Sequence, residues 1–519
     1  MRNLATHPGP KTGWGSPLPG ASACPPVGGP RLRAMKAAAR SAKAAVKTTV
    51  KRRITASAKV GAAKIRAAKV VAAKVSAKPR PAAKPKTAAL AKAKLRTADH
   101  ATATLAAHVA ELCRRARPAT RAVALLPDSM RRLALIAAAD ALAVQADVIR
   151  IANARDVAQA ERDGLAPAMI DRLRLDGARL DHVIAELRDV ASLPDPVGQI
   201  LEERTIAQGI QAQKISVPLG VVAIIFESRP NVTIDAASLC LRSGNACILR
   251  GGKEAVHSNR ALATSFRSGL ANAGIDPDAV QLVQEQDRAL IPLLLARDDA
   301  IDLVIPRGGE ALIQAVVACS KVPVIKHDKG VCSIYVHGHA DQELALKLIL
   351  NAKVQRPGVC NSIENVLVDH GIAAQFLPRL AATLAGAKVE VRADAEALRL
   401  MPGASAATEA DWSTEYLALI LAVKVVAGLD EAISFTGKYG SHHSDSIITR
   451  DTAAAERYLA EVDSACVYHN ASTRFTDGGQ FGFGAEVGIS TNRVHARGPM
   501  GIRELCTYKW VCRGNGQAR

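Results

Sequence analysis

An α/β fold built as two lobes in series, preceded by a disordered basic tail, is what this sequence predicts. Three observations carry that expectation: charge is segregated at the N-terminus, strand-length apolar runs alternate with helical periodicity beyond it, and Gly-Gly turns stand where strands give way to helices. The net charge of +20 belongs to the first 98 residues, which hold 23 Lys and Arg and no acid, the first carboxylate being Asp99. The remaining 421 residues carry 45 basic and 48 acidic groups, a net of −3. A basic total usually points to nucleic acid. Here it marks an extension, and the body is an ordinary, slightly acidic chain long enough for more than one domain.

Residues 1 to about 30 are rich in Pro and Gly and form no regular element. Residues 31 to 96 are of low complexity in Ala and Lys, with Lys59, Lys64, Lys69 and Lys74 recurring at five-residue steps. Such a step turns about 140° around a helix, so the charges spread over its whole circumference and leave no apolar face to pack. Residues 1–98 are therefore read as a disordered tail. Three uses remain open for it: a solvated extension, a polycation that holds nucleic-acid phosphates nonspecifically, or the product of a start codon placed too early. From Asp99 onward, "ATLAAHVAELCRRA" and "SMRRLALIAAADALAVQADVIRIANARDVAQAERDG" show helical spacing. "LEERTIAQGIQAQKISVPLGVVAIIFES" reads as an edge hairpin running into a buried strand. Strands are then expected at "ACILRG", "AVQLVQ", "IDLVIPRG", "VPVIKH", "CSIYVH", "ENVLVD", "LILAVKVV", "SDSIITR" and "SACVYHN", with helical stretches between them. That alternation predicts mostly parallel sheets.

Ten cysteines lie scattered without a CxxC pair or a histidine partner at ligand spacing, which speaks against zinc and against a disulfide framework. No metal is expected. No apolar run approaches the roughly 20 residues that span a bilayer, and the basic N-terminus lacks the apolar region of a secretory signal. No membrane role and a cytoplasmic location are expected.

Two turns, "ILRGGKEA" and "LVIPRGGEALI", put Gly251-Gly252 and Gly308-Gly309 between a strand and a helix. Such turns are often steric devices alone. They also suit a cofactor phosphate at a helix N-terminus, and Arg250 with Lys253 adds cations suited to the 2′-phosphate of NADP. "FGFGAEVG" misses the dinucleotide spacing and reads as a tight loop. His442 and His443 read as surface residues of a polar turn. "NASTRFTDGG", with Asn470, Ser472 and Arg474, and "HARGPMG" read either as site-lining loops or as plain turn chemistry. In "QRPGVCNS", Pro357-Gly358 makes a turn and places Cys360 at the end of an element. Arg356 is suited to lower a thiol pKa or to hold an anion, and the amides of Cys360 and Asn361 to donate to an oxyanion. Against this, most cysteines are small buried hydrophobes.

Five stretches, "VPLGVVAIIFESRPNVTIDAASLCLRSGNACILRGGKEA", "IDLVIPRGGEAL", "NAKVQRPGVCNS", "VDSACVYHNASTRFTDGGQFGFGAEVGIST" and "HARGPMGIRELCTYKW", resemble the gamma-glutamyl phosphate reductase (glutamate-5-semialdehyde dehydrogenase) family. The resemblance runs in order from about residue 100 to 512. It implies an aldehyde-dehydrogenase-like fold with a cofactor lobe over 99–322 and a returning segment near 479–497, a catalytic lobe over 323–478, and an oligomerisation element near 203–217 and 498–519. It implies NADPH-dependent reduction of L-glutamyl 5-phosphate to the semialdehyde, with Cys360 as nucleophile and a homo-oligomer. It further implies Asn231 as an oxyanion donor, Glu415 as a ribose-binding acid and the kinase that makes the acyl phosphate, glutamate 5-kinase, as a partner. Arg356, Asn470, Ser472 and Arg474 are the expected substrate contacts. Hydrolytic aldehyde dehydrogenases carry a general-base glutamate in a Glu-Leu-Gly-Gly segment, and here Lys326 stands near that position in "PVIKHDKGVCSIYV". Lacking that base, the thioacyl intermediate is spared water. "HDKG" and Ser333, where a histidine is common, depart from the family pattern. A hydrolytic aldehyde dehydrogenase and a tail-mediated nucleic-acid binder are the competing expectations.

Overall fold

The computed structural model describes residues 86–326 and 329–519, with side chains from Thr102 onward except at Ala168. The tail up to residue 85 and His327-Asp328 of "HDKG" lie outside the described residues. Lys92–Arg519 forms one compact unit. The first described helix, Lys86–Ala124, begins twelve residues earlier than the expected end of the tail. Its opening segment is Ala- and Lys-rich, and Ala and Lys are strong helix formers, so an established helix extends back through it at little cost.

Helices Asp128–Val144, Ala146–Arg162, Pro167–Leu173 and Ala178–Ser192 follow. In Asp128–Val144 the buried positions are Arg131, Ala134, Leu135, Ala138, Ala139 and Leu142, a stripe at three- and four-residue steps. Next comes a hairpin of β1 (Ile200–Thr205) and β2 (Gln211–Pro218). β3 (Val221–Phe226), β4 (Ala246–Gly251), β5 (Val280–Leu282) and β6 (Leu303–Arg307) form a parallel sheet in the order β5-β4-β3-β6. Val222, Ile224 and Phe226 of β3 enter one core and Val221, Ala223 and Ile225 another. A strand covered on both faces has no polar side, which is why "GVVAIIF" shows no alternation.

β7 (Cys332–Val336), β8 (Ile363–Asp369), β9 (Glu390–Ala393), β10 (Ser405–Ala406), β11 (Ile420–Val426), β12 (Ser444–Ile448) and β13 (Cys466–His469) form a second parallel sheet, in the order β10-β9-β11-β8-β7-β12-β13. Its two faces are again both apolar: Ile334, Val366 and Val423 lie in one cluster, and Tyr335, Leu367 and Ala422 in another. Among the described residues no helix is long and apolar enough to cross a membrane.

The chain then returns. β14 (Gly488–Ser490) and β15 (Gly498–Met500) pair with each other, and Val487, Met500, Ile502 and Leu505 pack into the core that holds β3 and β4. β16 (Cys506–Arg513) adds to β2, making an antiparallel sheet β1-β2-β16. Within residues 498–505, the start of the expected oligomerisation element, Met500, Ile502 and Leu505 are buried in the first core. "VPVIKH" forms no strand: Val324 makes an isolated bridge to Val304, and Pro323 beside it has no N–H to give a ladder. "FGFGAEVG" is a turn, with Gly482 and Gly484 at φ of 77° and 73°.

Helices Asp128–Val144 and Val256–Asn272 touch at Gly269, where an added Cβ would stand 2.4 Å from the Ala138 Cα. Gly269→Ala is expected to cost about 1–3 kcal/mol by overpacking, read as a lower urea midpoint at unchanged slope. An unchanged midpoint would show that the two helices part freely.

Candidate active site

The turn 355–362 joins helix Gln342–Val354 to β8, and its two ends are fastened by one buried contact. Lys353 Nζ donates to a Glu364 carboxylate oxygen (2.6 Å) and to the Ile363 carbonyl (2.9 Å), with both side chains fully buried. Burial pushes the Glu364 carboxyl up to about 7 and pulls Lys353 down, while each partner opposes the other's shift. The attraction therefore offsets only part of the desolvation.

Four further contacts set the turn. Arg172 donates to the Gly358 carbonyl (2.8 Å), Cys332 Sγ to the Cys360 carbonyl (3.2 Å) and Thr473 Oγ1 to the Asn361 carbonyl (2.7 Å). Gly330 lies against the nucleophile candidate itself: a Cβ there would be 2.4 Å from the Cys360 Cα and 2.1 Å from its carbonyl oxygen. Among the described residues no protein acceptor takes the backbone N–H of Cys360 or Asn361. Those two donors remain available to an oxyanion.

The Cys360 thiol is pushed up to about 11, chiefly by burial. Arg307 and Arg229 pull it down, whereas Glu486 and Glu415 push it up. Arg307 is partly neutralised, since its guanidinium pairs with Glu486 (3.2 Å), which also accepts from the Gly478 N–H (2.9 Å). Burial and the neighbouring Arg307, Arg172 and Arg356 pull Arg229 down to about 10. A group of guanidinium side chains thus stands around one thiol, a setting for a substrate that carries several negative charges. Motif and spacing do not single out Arg172, Arg229, Arg307 or Glu486. Arg229 lies two residues before Asn231, and Arg307 lies inside "LVIPRGGEALI"; a cation at each of these places is the signal the sequence holds.

The expected substrate residues divide. Arg356 is exposed and acts on Arg229 and Arg474 through its charge. Arg474 is half-buried, and its Nε donates to Gln355 (3.0 Å). Asn470 and Ser472 are instead spent on the backbone: Asn470 accepts from the Thr449 N–H (3.0 Å) and donates to the Thr449 carbonyl (2.9 Å), and Ser472 accepts from the Arg474 N–H (3.3 Å). Both hold the loop's shape. Asn361 is likewise a strut, its side-chain amide donating to the Thr476 carbonyl (2.8 Å). The Asn231 amide donates to Asp235 (2.8 Å), a carboxyl pushed up to about 7 by burial, so it serves the start of helix Val232–Arg242. Glu415 stands in the thiol's field, and burial raises its carboxyl while the Gly330 backbone opposes that shift. His443 is fully buried and its Nδ1 lies 2.9 Å from Ser444 Oγ, contrary to the surface turn expected; it follows a left-handed His442 that turns the chain inward.

At the end of β4, Arg250 is buried and donates to the carbonyls of Gly251 (3.1 Å) and Gln286 (3.2 Å). A hollow beside it is lined by Gly251, Asn259, Leu282, Val283, Gln284 and Gln286. Gly251 is required for packing, since a Cβ would fall 2.0 Å from the Asn259 amide, and Gly252 faces Glu254 in the same way at 2.1 Å. Lys253 is exposed. The second turn is different. A Cβ on Gly308 would lie 2.5 Å from Glu227, and the Gly309 N–H donates to that carboxylate (3.2 Å). The chain's own acid thus occupies the helix end where a cofactor phosphate was expected.

Residues 81–411 match the model of the aldehyde dehydrogenase family. The gamma-glutamyl phosphate reductase of Nautilia profundicola is 50% identical over 409 residues, which are 79% of this chain and 99% of that protein. That of Aquifex aeolicus is 49% identical over 420 residues, covering 79% and 97%. The crystal structure of gamma-glutamyl phosphate reductase from Thermotoga maritima superposes with a TM-score of 0.78 at 42% identity, over 79% of this chain and 99% of that one. The chain belongs to the gamma-glutamyl phosphate reductase family. It is thereby an oxidoreductase of aldehyde-dehydrogenase fold. Aldehyde dehydrogenases work with NAD or NADP. About a fifth of the chain has no counterpart in these reductases.

Lys353→Met leaves a buried carboxylate without its partner and is expected to destabilise by about 3–5 kcal/mol, with most of the loss recovered when Glu364→Leu is added. Equilibrium urea unfolding of the single and double variants checks this. Thiol reactivity gives a second test. Alkylation of Cys360 by a neutral reagent, followed on its own peptide, should rise about tenfold per pH unit between pH 7 and 10, because only the thiolate reacts. At pH 8, Glu486→Gln should speed the reaction and Arg307→Met should slow it. A plateau below pH 9 would contradict the raised thiol.

Proposed function

We propose that this chain catalyses the NADPH-dependent reduction of L-glutamyl 5-phosphate to L-glutamate 5-semialdehyde with release of phosphate, the second step of proline synthesis from glutamate, in the reducing cytoplasm. The observation that carries this reading is Cys360 on a turn fastened from behind by Lys353–Glu364 and flanked in front by Arg229 and Arg307. The kinship with named gamma-glutamyl phosphate reductases supports the substrate.

In this reading the Cys360 thiolate attacks the acyl carbon. A carbon–sulfur bond forms, the carbon–oxygen bond to phosphate breaks, and phosphate leaves with its electron pair. The backbone N–H groups of Cys360 and Asn361 meet the oxygen that gains charge. Arg229, Arg307 and Arg356 receive the phosphate and carboxylate charges of the substrate, and Arg474 closes the same side. Lys326 stands near the position where hydrolytic relatives carry a glutamate base, and without that glutamate the thioacyl enzyme is spared water in this reading. NADPH, when bound, supplies the hydride that a thioester accepts and a free carboxylate refuses. Arg250, Gly251, Gly252 and Lys253 are the residues that would hold it, with Glu415 beside the thiol. The buried Arg250 Nε and Gln286 Oε1, neither with a partner among the described residues, fit such a polar ligand. Self-association through the sheet β1-β2-β16 belongs to the same reading, since its outer strands expose Ile200, Leu201, Tyr508 and Trp510. Direct hand-over from glutamate 5-kinase suits an acyl phosphate that water destroys.

The test runs the reaction in reverse, measuring NADP reduction by the semialdehyde with and without phosphate. Turnover is expected to require phosphate and to fall by roughly 10³-fold or more in Cys360→Ser. Activity retained in that variant, or phosphate-independent turnover to glutamate, would overturn the assignment.

A further inference from the structure

His337-Gly338-His339 follows β7 directly, and Asp451 stands three residues beyond β12. β7 and β12 are parallel neighbours with Val336 opposite Ile448, so both run out at the same edge of the sheet. Two backbone bonds lock the chain beyond that edge: the His337 N–H donates to the Ile448 carbonyl (3.1 Å) and the Arg450 N–H to the His339 carbonyl (2.9 Å). One ligand atom from each of His337, His339 and Asp451 lies within 4.8 Å of the other two.

Their surroundings orient them as ligands. His337 Nδ1 is 2.8 Å from Thr449 Oγ1, which directs Nε2 outward. Thr449 Oγ1 also accepts from the Asp451 N–H (3.0 Å), and Asn470 holds Thr449 through both its backbone groups. One Asp451 oxygen caps helix Thr452–Glu461 at the Ala454 N–H (3.1 Å), and the other faces His339 Nδ1 at 3.5 Å.

We propose that His337, His339 and Asp451 form a binding site for a divalent transition-metal ion of the zinc class, with solvent completing its coordination. Two imidazoles and a carboxylate are a donor set that such ions take in tetrahedral geometry. Bonds of about 2.0–2.1 Å would bring the donors to about 3.3 Å from one another. The required closure falls on His339, whose side chain is 73% exposed and free to swing. The site is remote from the chemistry. Cys360 precedes β8 whereas His337 follows its parallel neighbour β7, which separates them by roughly 15 Å of strand. A bound ion would tie the ends of β7 and β12 together without touching the thiol. Sequence spacing does not reveal this site, because the third ligand lies far downstream and the β7–β12 pairing brings it in.

Cobalt(II) is the probe, titrated into the untagged, metal-stripped full-length chain with a non-thiol reductant. One equivalent should bind with the strong visible absorption of four-coordinate cobalt and without thiolate charge transfer, and zinc should compete for it. His339→Ala should abolish that signal. So should Asp451→Asn, which keeps the helix cap. Thr449→Val should weaken binding by about 10–100-fold, with circular dichroism confirming that each variant is folded. Absence of saturable binding, binding unchanged in His339→Ala, or a thiolate charge-transfer band would each overturn the proposal.

Discussion

Lys353 and Glu364 form an ion pair with no solvent around it, at the two ends of the turn that carries Cys360. Two apolar residues of similar volume would fill that space at comparable stability. They would not do what Lys353 does with its other hydrogen bond, which is to hold the Ile363 carbonyl and so fix where β8 begins. Register in a parallel sheet decides which face every later residue joins. With β8 set, Val366 and Val368 enter one core and Leu367 the other, and Cys360 stands at a fixed distance ahead of them. The contacts in front of the turn, from Gly330, Arg172 and Thr473, act on a chain whose path is already determined from behind.

The same burial that rigidifies the turn works against the thiolate. Two guanidinium groups act to lower the thiol's pKa, yet burial wins and leaves it near 11. Glu486 blunts one of them by pairing with Arg307. The resting thiol is therefore protonated at neutral pH, and a protonated thiol resists alkylation and oxidation. Arg172, Arg307 and Arg356 each disfavour the charge on Arg229, so an anionic ligand would relieve a repulsion among guanidinium groups.

The architecture was legible because both parallel sheets are buried on two faces, which turns their strands into apolar runs that stand out from amphipathic helices. "VPVIKH" has the same composition but a proline in its path, and its ladder stops after a single bridge. That Cys360 stands on a turn just ahead of a strand was legible from Pro357-Gly358 and "ENVLVD". The side chains around it were harder to read, since polarity in a loop does not say whether an amide faces a ligand or a backbone. Asn470 and Ser472 spend their groups on Thr449 and Arg474, whereas Arg307, at the end of an apolar strand, reaches the thiol's field from the other sheet. Glu227 is a similar case: from sequence it is one more acid after a strand, and only the fold puts it at the Gly309 N–H.

The order in which the chain is synthesised meets the path it takes. Met500, Ile502 and Leu505 complete a core whose other members, from β3 and β4, lie more than 200 residues earlier. A ribosome therefore releases the entire second sheet before the first can close, and during that interval the apolar face awaiting those three side chains stays wet. β2 waits equally, with one edge unpaired until β16 has left the exit tunnel. An arrest before β16 has emerged would leave both parallel sheets made and one edge of β2 open.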